Sequence, residues 1–130
     1  MRFLDDDWYE AHLKKIAETF SSPGTANTEL VEVYHNVWGE PGKTVWIHYV
    51  MKNSQLALVE RGEGETYPDG RFRCFGDYAK YVQVYLGKLD PKMGILGGAF
   101  KLEGGLLPAT AMLPIYMKLT ECKRFPDLEL

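Results

Sequence analysis

Residues 28–61 hold the feature that most restricts the fold: three consecutive strand-like runs with turn signals between them. From Thr28 to Trp38 the chain alternates. Leu30 leads to Val31, Val33 and Val37 on one side, with Glu32, Tyr34 and Asn36 on the other. Glu40-Pro41-Gly42 is a turn sequence, so the next run, Lys43 to Met51, is expected to return antiparallel. In that run Val45, Ile47, Tyr49 and Met51 share one face, and Trp46, His48 and Val50 the other. Both faces are bulky, which predicts a central strand covered on both sides. Gln55 to Arg61 gives the third run, after Lys52-Asn53-Ser54.

Helical patterns flank these strands. Asp7 can cap a helix starting at Trp8, with Glu10 completing a capping box. Tyr9, Leu13, Ile16 and Phe20 follow at helical spacing, and Ser21-Ser22-Pro23-Gly24 ends the helix. After the turn Tyr67-Pro68-Asp69-Gly70, Arg71 to Phe75 can form a short strand. Asp77 then caps a helix carrying Tyr78, Tyr81, Val82 and Tyr85, which stops at Gly87. Leu89-Asp90-Pro91 starts a short turn or helix, and Gly98 to Glu103 alternates as a last strand. From Leu106 to about Cys122 the chain is apolar almost all round, with Pro108 in its first turn and a kink expected at Pro114. This order predicts an α+β domain with a mostly antiparallel sheet, spanning residues 1–130 as one unit.

Several function classes are excluded at this level. With a formal charge of −3 and scattered lysines there is no basic face for nucleic acid. Cys74 and Cys122 form no CxxC pair, so neither a zinc site nor a disulfide framework is indicated. No apolar stretch is long enough to span a bilayer, and the start MRFLDDDWYE lacks a signal-peptide core, so the cytoplasm is the expected compartment.

The glycine-rich run LGKLDPKMGILGGAFKLEGG, residues 86–105, fails as a phosphate loop. Gly94, Gly97 and Gly98 do not meet the GxGxxG spacing, and Gly87-Lys88 is followed by Leu89 where a P-loop needs Ser or Thr. His12, His35 and His48 have no metal-ligand spacing, and no GxSxG elbow is present. Asp5-Asp6-Asp7 reads as a helix start, not a metal cluster. No cofactor is expected.

Read together, GDYAKYVQVYLGKLDPKMGILGGAFKLEGGLLPATAMLPIYMKL resembles the sterol-carrier-protein-2 domain family. The resemblance rests on Gly76-Asp77 at a helix start, then Leu86-Gly87-Lys88-Leu89-Asp90-Pro91. Gly98-Ala99-Phe100-Lys101-Leu102, Gly104 and the apolar last helix complete it. It covers residues 76–119 strongly, and the N-terminal half only by element order. Gly105, Pro108 and Pro114 depart from the pattern. The resemblance implies a five-stranded, mostly antiparallel sheet covered by helices and enclosing an apolar tunnel. It further implies non-catalytic carriage of a fatty acid, fatty acyl-CoA or sterol-like lipid. The expected tunnel residues are Phe20, Trp46, His48, Tyr85, Leu89, Met93, Leu96, Phe100, Leu107, Met112, Leu113, Tyr116 and Met117. Transient membrane contact is compatible with such a carrier, and Trp38, Trp46 and the tyrosines are compatible with a homodimer. Two alternatives stand beside this reading: a small enzyme or enzyme-accessory domain using His48 or Glu60 as base in the same pocket, and an interaction module with a filled core.

Overall fold

The computed structural model describes residues 1–130. Helix α1 (Asp6–Thr19) precedes strands β1 (Thr28–His35), β2 (Val45–Lys52), β3 (Gln55–Glu63) and β4 (Phe72–Asp77). Helices α2 (Tyr78–Tyr85) and α3 (Pro91–Leu96), strand β5 (Phe100–Glu103) and helix α4 (Leu106–Glu121) complete the chain. A 3-10 turn at Val37–Gly39 joins β1 to β2.

The five strands form one mixed sheet in the order β3-β2-β1-β4-β5. β1 pairs antiparallel with β2 and parallel with β4, and the β2–β3 and β4–β5 pairs are antiparallel. The mostly antiparallel expectation holds. β2 is interior as expected, although the middle strand is β1. β1 is also shorter than its alternating pattern suggests. Asn36 takes φ 52°, a left-handed conformation that asparagine tolerates, and this turns the chain out of the sheet before Trp38.

Register decides which side chains face the helices. Leu30, Glu32 and Tyr34 pair across from Tyr49, Ile47 and Val45, and all six lie on the helix-covered face. Val31 and Val33 point the other way, yet they are fully buried. Segment 64–71 accounts for this. It must return from the end of β3 to the start of β4, and it crosses the face the helices leave open. A Cβ on its Gly70 would meet Val31 Cγ2 at 3.1 Å, and its Tyr67 ring packs edge-on to Phe75.

The first helix starts earlier than the capping-box reading places it. Its N-cap is Asp5, not Asp7. One Asp5 carboxylate oxygen accepts from Trp8 N at 2.7 Å and the other from Arg2 N at 2.8 Å. Asp5 is favoured because it also ties down the incoming strand-like segment, which Asp7 inside the helix cannot do. Asp77 does occupy the α2 N-cap position, but its side chain accepts from Asn36 Nδ2 instead of a helix N–H.

Phe100 explains Gly94 in the glycine-rich run and Gly76 just before α2. A Cβ on Gly76 would lie 2.3 Å from the Phe100 ring, and one on Gly94 would lie 2.7 Å from it. The ring therefore sits against two bare backbones, where β5 meets α3. Gly104 and Gly105 adopt φ 116° and 93°, which an L side chain resists, and this turns β5 into α4.

Candidate functional site

α4 is buried only toward its C-terminal end: of its sixteen residues, Leu119 and Thr120 alone are buried. Leu107, near its start, is 83% exposed. The helix continues through Pro114 from Leu106 to Glu121, although proline there removes the hydrogen bond to the Thr110 carbonyl. A helix fixed at one end, apolar on nearly every side and lightly packed at the other end is suited to move as a lid.

Beneath α4 the apolar space is divided into three small voids. The first lies between α4, α3 and the β1–β4–β5 part of the sheet, lined by Leu30, Cys74, Tyr81, Pro91, Ile95, Phe100, Leu102, Ala109, Met112, Leu113 and Tyr116. Its free volume is about 50 Å³. The second, about 20 Å³, lies toward α1 and β2 among Phe20, Thr28, Leu30, Tyr49, Met51, Leu56, Met112, Ile115, Tyr116 and Leu119. The third, about 10 Å³, reaches Tyr34, Tyr85, Thr120 and Lys123. Tyr116 borders all three, and Met112 borders the first two. An open groove of about 260 Å³ runs along the outer side of α4, between residues 26–28 and Arg71-Phe72. Met112, Ile115 and Thr28 separate that groove from the second void.

A buried polar cluster lies behind Tyr116. Glu32, with no exposed surface, pairs with Lys123, whose Nζ lies 2.7 Å from one carboxylate oxygen and 2.8 Å from the other. Tyr34 donates to Oε1 at 3.0 Å and Tyr116 to Oε2 at 2.8 Å. Burial first, and the Glu32 charge second, push the hydroxyls of Tyr34, Tyr49 and Tyr116 well above the usual tyrosine range. These tyrosines are neutral donors. Burying an ion pair is tolerable because its lone pairs are satisfied in this way.

His12 belongs to the same network. Its Nδ1 lies 2.7 Å from the Cys122 carbonyl oxygen, which only accepts, so Nδ1 carries the proton. Nε2 then accepts from the Tyr49 hydroxyl at 2.9 Å. Burial lowers the His12 pKa to about 3, with the Lys123 and Lys15 charges adding to the effect against the opposing Cys122 bond. Trp8 Nε1 donates to the Lys123 carbonyl at 2.9 Å. Together these contacts clamp the end of α4 to α1. Burial also pushes the Cys74 thiol up to about 12, so the one cysteine lining the first void is an inert thiol.

The expected tunnel residues divide into groups. Phe100, Met112, Leu113 and Tyr116 line the first void, Phe20 the second and Tyr85 the third. Leu89 packs against the core beside Gly94. Met93, Leu96, Leu107 and Met117 lie on the surface. Trp46 and His48 project from the opposite sheet face, because the alternation that buries Val45, Ile47 and Tyr49 turns them away. There His48 Nε2 lies 2.5 Å from Glu29 and Nδ1 3.7 Å from Glu60, so the two suggested bases do not face the apolar space. In place of one expected tunnel there are separate voids.

Among residues not anticipated, Tyr81 already lay on the apolar side of its helical pattern, and that was its available signal. Glu32 and Lys123 carry none. A lone glutamate in a strand and a lysine past a helix end read as surface residues.

No known protein-family pattern matches the chain, and no curated protein matches it in sequence. Solved structures do match in shape. A conserved hypothetical protein of Thermus thermophilus, described as a candidate sterol carrier protein, superposes with a TM-score of 0.70 at 20% identity. That match covers 95% of this chain and 89% of the other. A crystal structure of sterol carrier protein 2 gives 0.68 at 20% identity, covering 92% and 95%. Palmitated sterol carrier protein 2-like 2 of Aedes aegypti gives 0.51 at 13% identity, covering 89% and 94%. The strand order, the helices gathered on one sheet face and these near-complete superpositions agree: the chain has the sterol carrier protein 2 sterol-binding domain fold.

Proposed function

We propose that this protein is a non-catalytic carrier that takes one hydrophobic molecule, a fatty acid, fatty acyl-CoA or sterol-like lipid, beneath α4. The observation that carries the reading is the set of adjoining apolar voids under a helix buried only at its far end. The voids as they stand are far below the ~300–1,000 Å³ of a filled ligand pocket. Binding therefore requires α4 to lift and Met112 to swing, joining the voids to the outer groove. Each ligand methylene transferred from water contributes about 0.8 kcal/mol, enough for a chain of ten or more carbons to offset the opening. The palmitated Aedes aegypti protein of the same fold supports an acyl chain as occupant.

Loading from a lipid surface fits the rim. Met93, Leu96 and Leu107 are exposed there, and Lys92 shares a shallow pocket with Leu106 beside them. No helix is long and apolar enough to cross a membrane, so such contact is peripheral.

The test is displacement of a fluorescent apolar probe by long-chain lipids, in the natural chain and in Met112→Trp. A tryptophan at position 112 fills the space where the first two voids meet. Saturable one-to-one binding, weakened about tenfold or more in Met112→Trp, supports the reading. Absence of binding by every acyl chain, CoA ester and sterol at micromolar concentration would overturn it.

A further inference from the structure

The inner side of α4 covers the voids, while its outer side faces solvent without the polar residues that solvent favours. Leu107, Ala111 and Pro114 recur there at helical spacing and all are exposed. No charged residue occurs from Gly104 to Met117. A helix apolar on every side is expected where both sides are covered, and only one side of α4 is. We propose that the outer side of α4, together with the neighbouring α3, docks on a lipid bilayer that carries anionic phospholipid. The inference goes beyond the rim contact described above and stands without any cargo.

The apolar surface is gathered in one region. Nine large apolar side chains are exposed in the whole chain, and six of them fall within residues 86–117. Those on α3, Met93 and Leu96, adjoin the start of α4, because Lys92 and Ile95 share a shallow pocket with Leu106 and Ala109. The charge is segregated in the same direction. Between Tyr78 and Thr120 there are five lysines, all exposed, and two acidic residues, a formal +3 within a chain whose total is −3. Both acids are engaged: Asp90 accepts from Met93 N as the α3 N-cap, and Glu103 pairs with Arg73 at 2.6 Å. An apolar helix face beside unpaired lysines, on an otherwise acidic molecule, complements an anionic lipid surface.

The length of α4 sets the mode of contact. Its uncharged part, Leu106 to Met117, spans about 18 Å, short of the ~30 Å hydrocarbon core, so the helix lies in the interface and does not cross. A protein partner fits less well. Protein interfaces concentrate their energy in Trp, Tyr and Arg, and Leu107, Ala111 and Pro114 offer neither such an anchor nor a side-chain hydrogen bond. Lipid needs neither.

The experiment is flotation of the full chain with vesicles of phosphatidylcholine alone and of phosphatidylcholine with 30% phosphatidylserine. Binding is expected to the second at least tenfold more tightly than to the first, weakening as salt is raised to 0.5 M. Each lysine near such a surface is worth about fivefold in affinity, so Lys88→Glu/Lys92→Glu should bind at least tenfold more weakly. Leu107→Glu should also bind at least tenfold more weakly. Leu107 is 83% exposed and stands at a helix N-terminus, where glutamate is well tolerated, so this variant keeps its fold. No binding to either vesicle, equal binding to both, or unchanged binding in Leu107→Glu would each overturn the proposal. So would a dimer in sedimentation, dissociated by Leu107→Glu, in a chain that ignores vesicles, because that result gives the face to a second copy. Flotation uses no cargo, so its failure leaves the carrier reading standing, and failure of probe displacement leaves this one standing.

Discussion

Replacing His12 with asparagine should remove a large part of this protein's acid sensitivity. In the folded chain His12 is buried and neutral, with its pKa lowered from 6.5 to about 3. The unfolded chain keeps the ordinary value, so between pH 6.5 and about 3 the unfolded state binds the extra proton. Stability from this residue is complete above pH 6.5 and declines as pH falls through that window. At pH 5 the histidine lies 1.5 pH units below its unfolded pKa, which corresponds to ~2 kcal/mol lost relative to neutral pH. For a domain of this size that is on the order of 6–10 °C in Tm. The substituted asparagine can still donate to the Cys122 carbonyl through its amide nitrogen but cannot protonate. It leaves the Tyr49 hydroxyl without its partner, which costs ~1–3 kcal/mol at pH 7.5. Urea unfolding of both proteins from pH 7.5 to 4.5 isolates the effect, because carboxylate titrations common to the two cancel in the difference. His12→Asn should begin less stable and draw level with the natural chain near pH 5. Parallel pH profiles would refute the buried, neutral His12 and the clamp built around it.

Two further substitutions test the frame around the voids. Gly76→Ala places a methyl against Phe100 and Tyr81, and should cost ~1–3 kcal/mol by thermal or urea unfolding. Unchanged stability would mean that the Phe100 ring has room the structure does not show. Asp5→Ala removes acceptors for both Trp8 N and Arg2 N, and should cost ~1–2 kcal/mol, with early fraying of α1 in amide exchange.

Much of the fold was legible because one periodicity dominated each segment. The alternation of Val45 to Met51 marked a strand, and Glu40-Pro41-Gly42 marked its direction relative to β1. The parallel β1–β4 pairing was not legible, because it depends on how segment 64–71 crosses the sheet, and no local pattern encodes that path. The N-cap was misplaced by two residues because three consecutive aspartates offer equal caps, and only the contact with Arg2 N selects among them. At the site, Phe100, Met112, Leu113 and Tyr116 were readable as apolar residues near the last helix. Trp46 and His48 were not excluded, since a strand with two bulky faces does not say which one meets the helices. Glu32 and Lys123 were illegible for a stronger reason. Their burial depends on meeting each other across 91 residues of chain, and each alone resembles a solvated charge.

The central claim, a hydrophobic molecule held beneath α4, is tested most directly by the methionine methyl groups. Labelled with carbon-13, the five methionines report on distinct places. Met51 and Met112 border the voids, and Met1, Met93 and Met117 are exposed. On titration with dodecanol or dodecanoate, the Met51 and Met112 signals should shift together and saturate at one ligand per chain, with Met1 unmoved. Shifts confined to the exposed methionines, or none that saturate, would contradict the account.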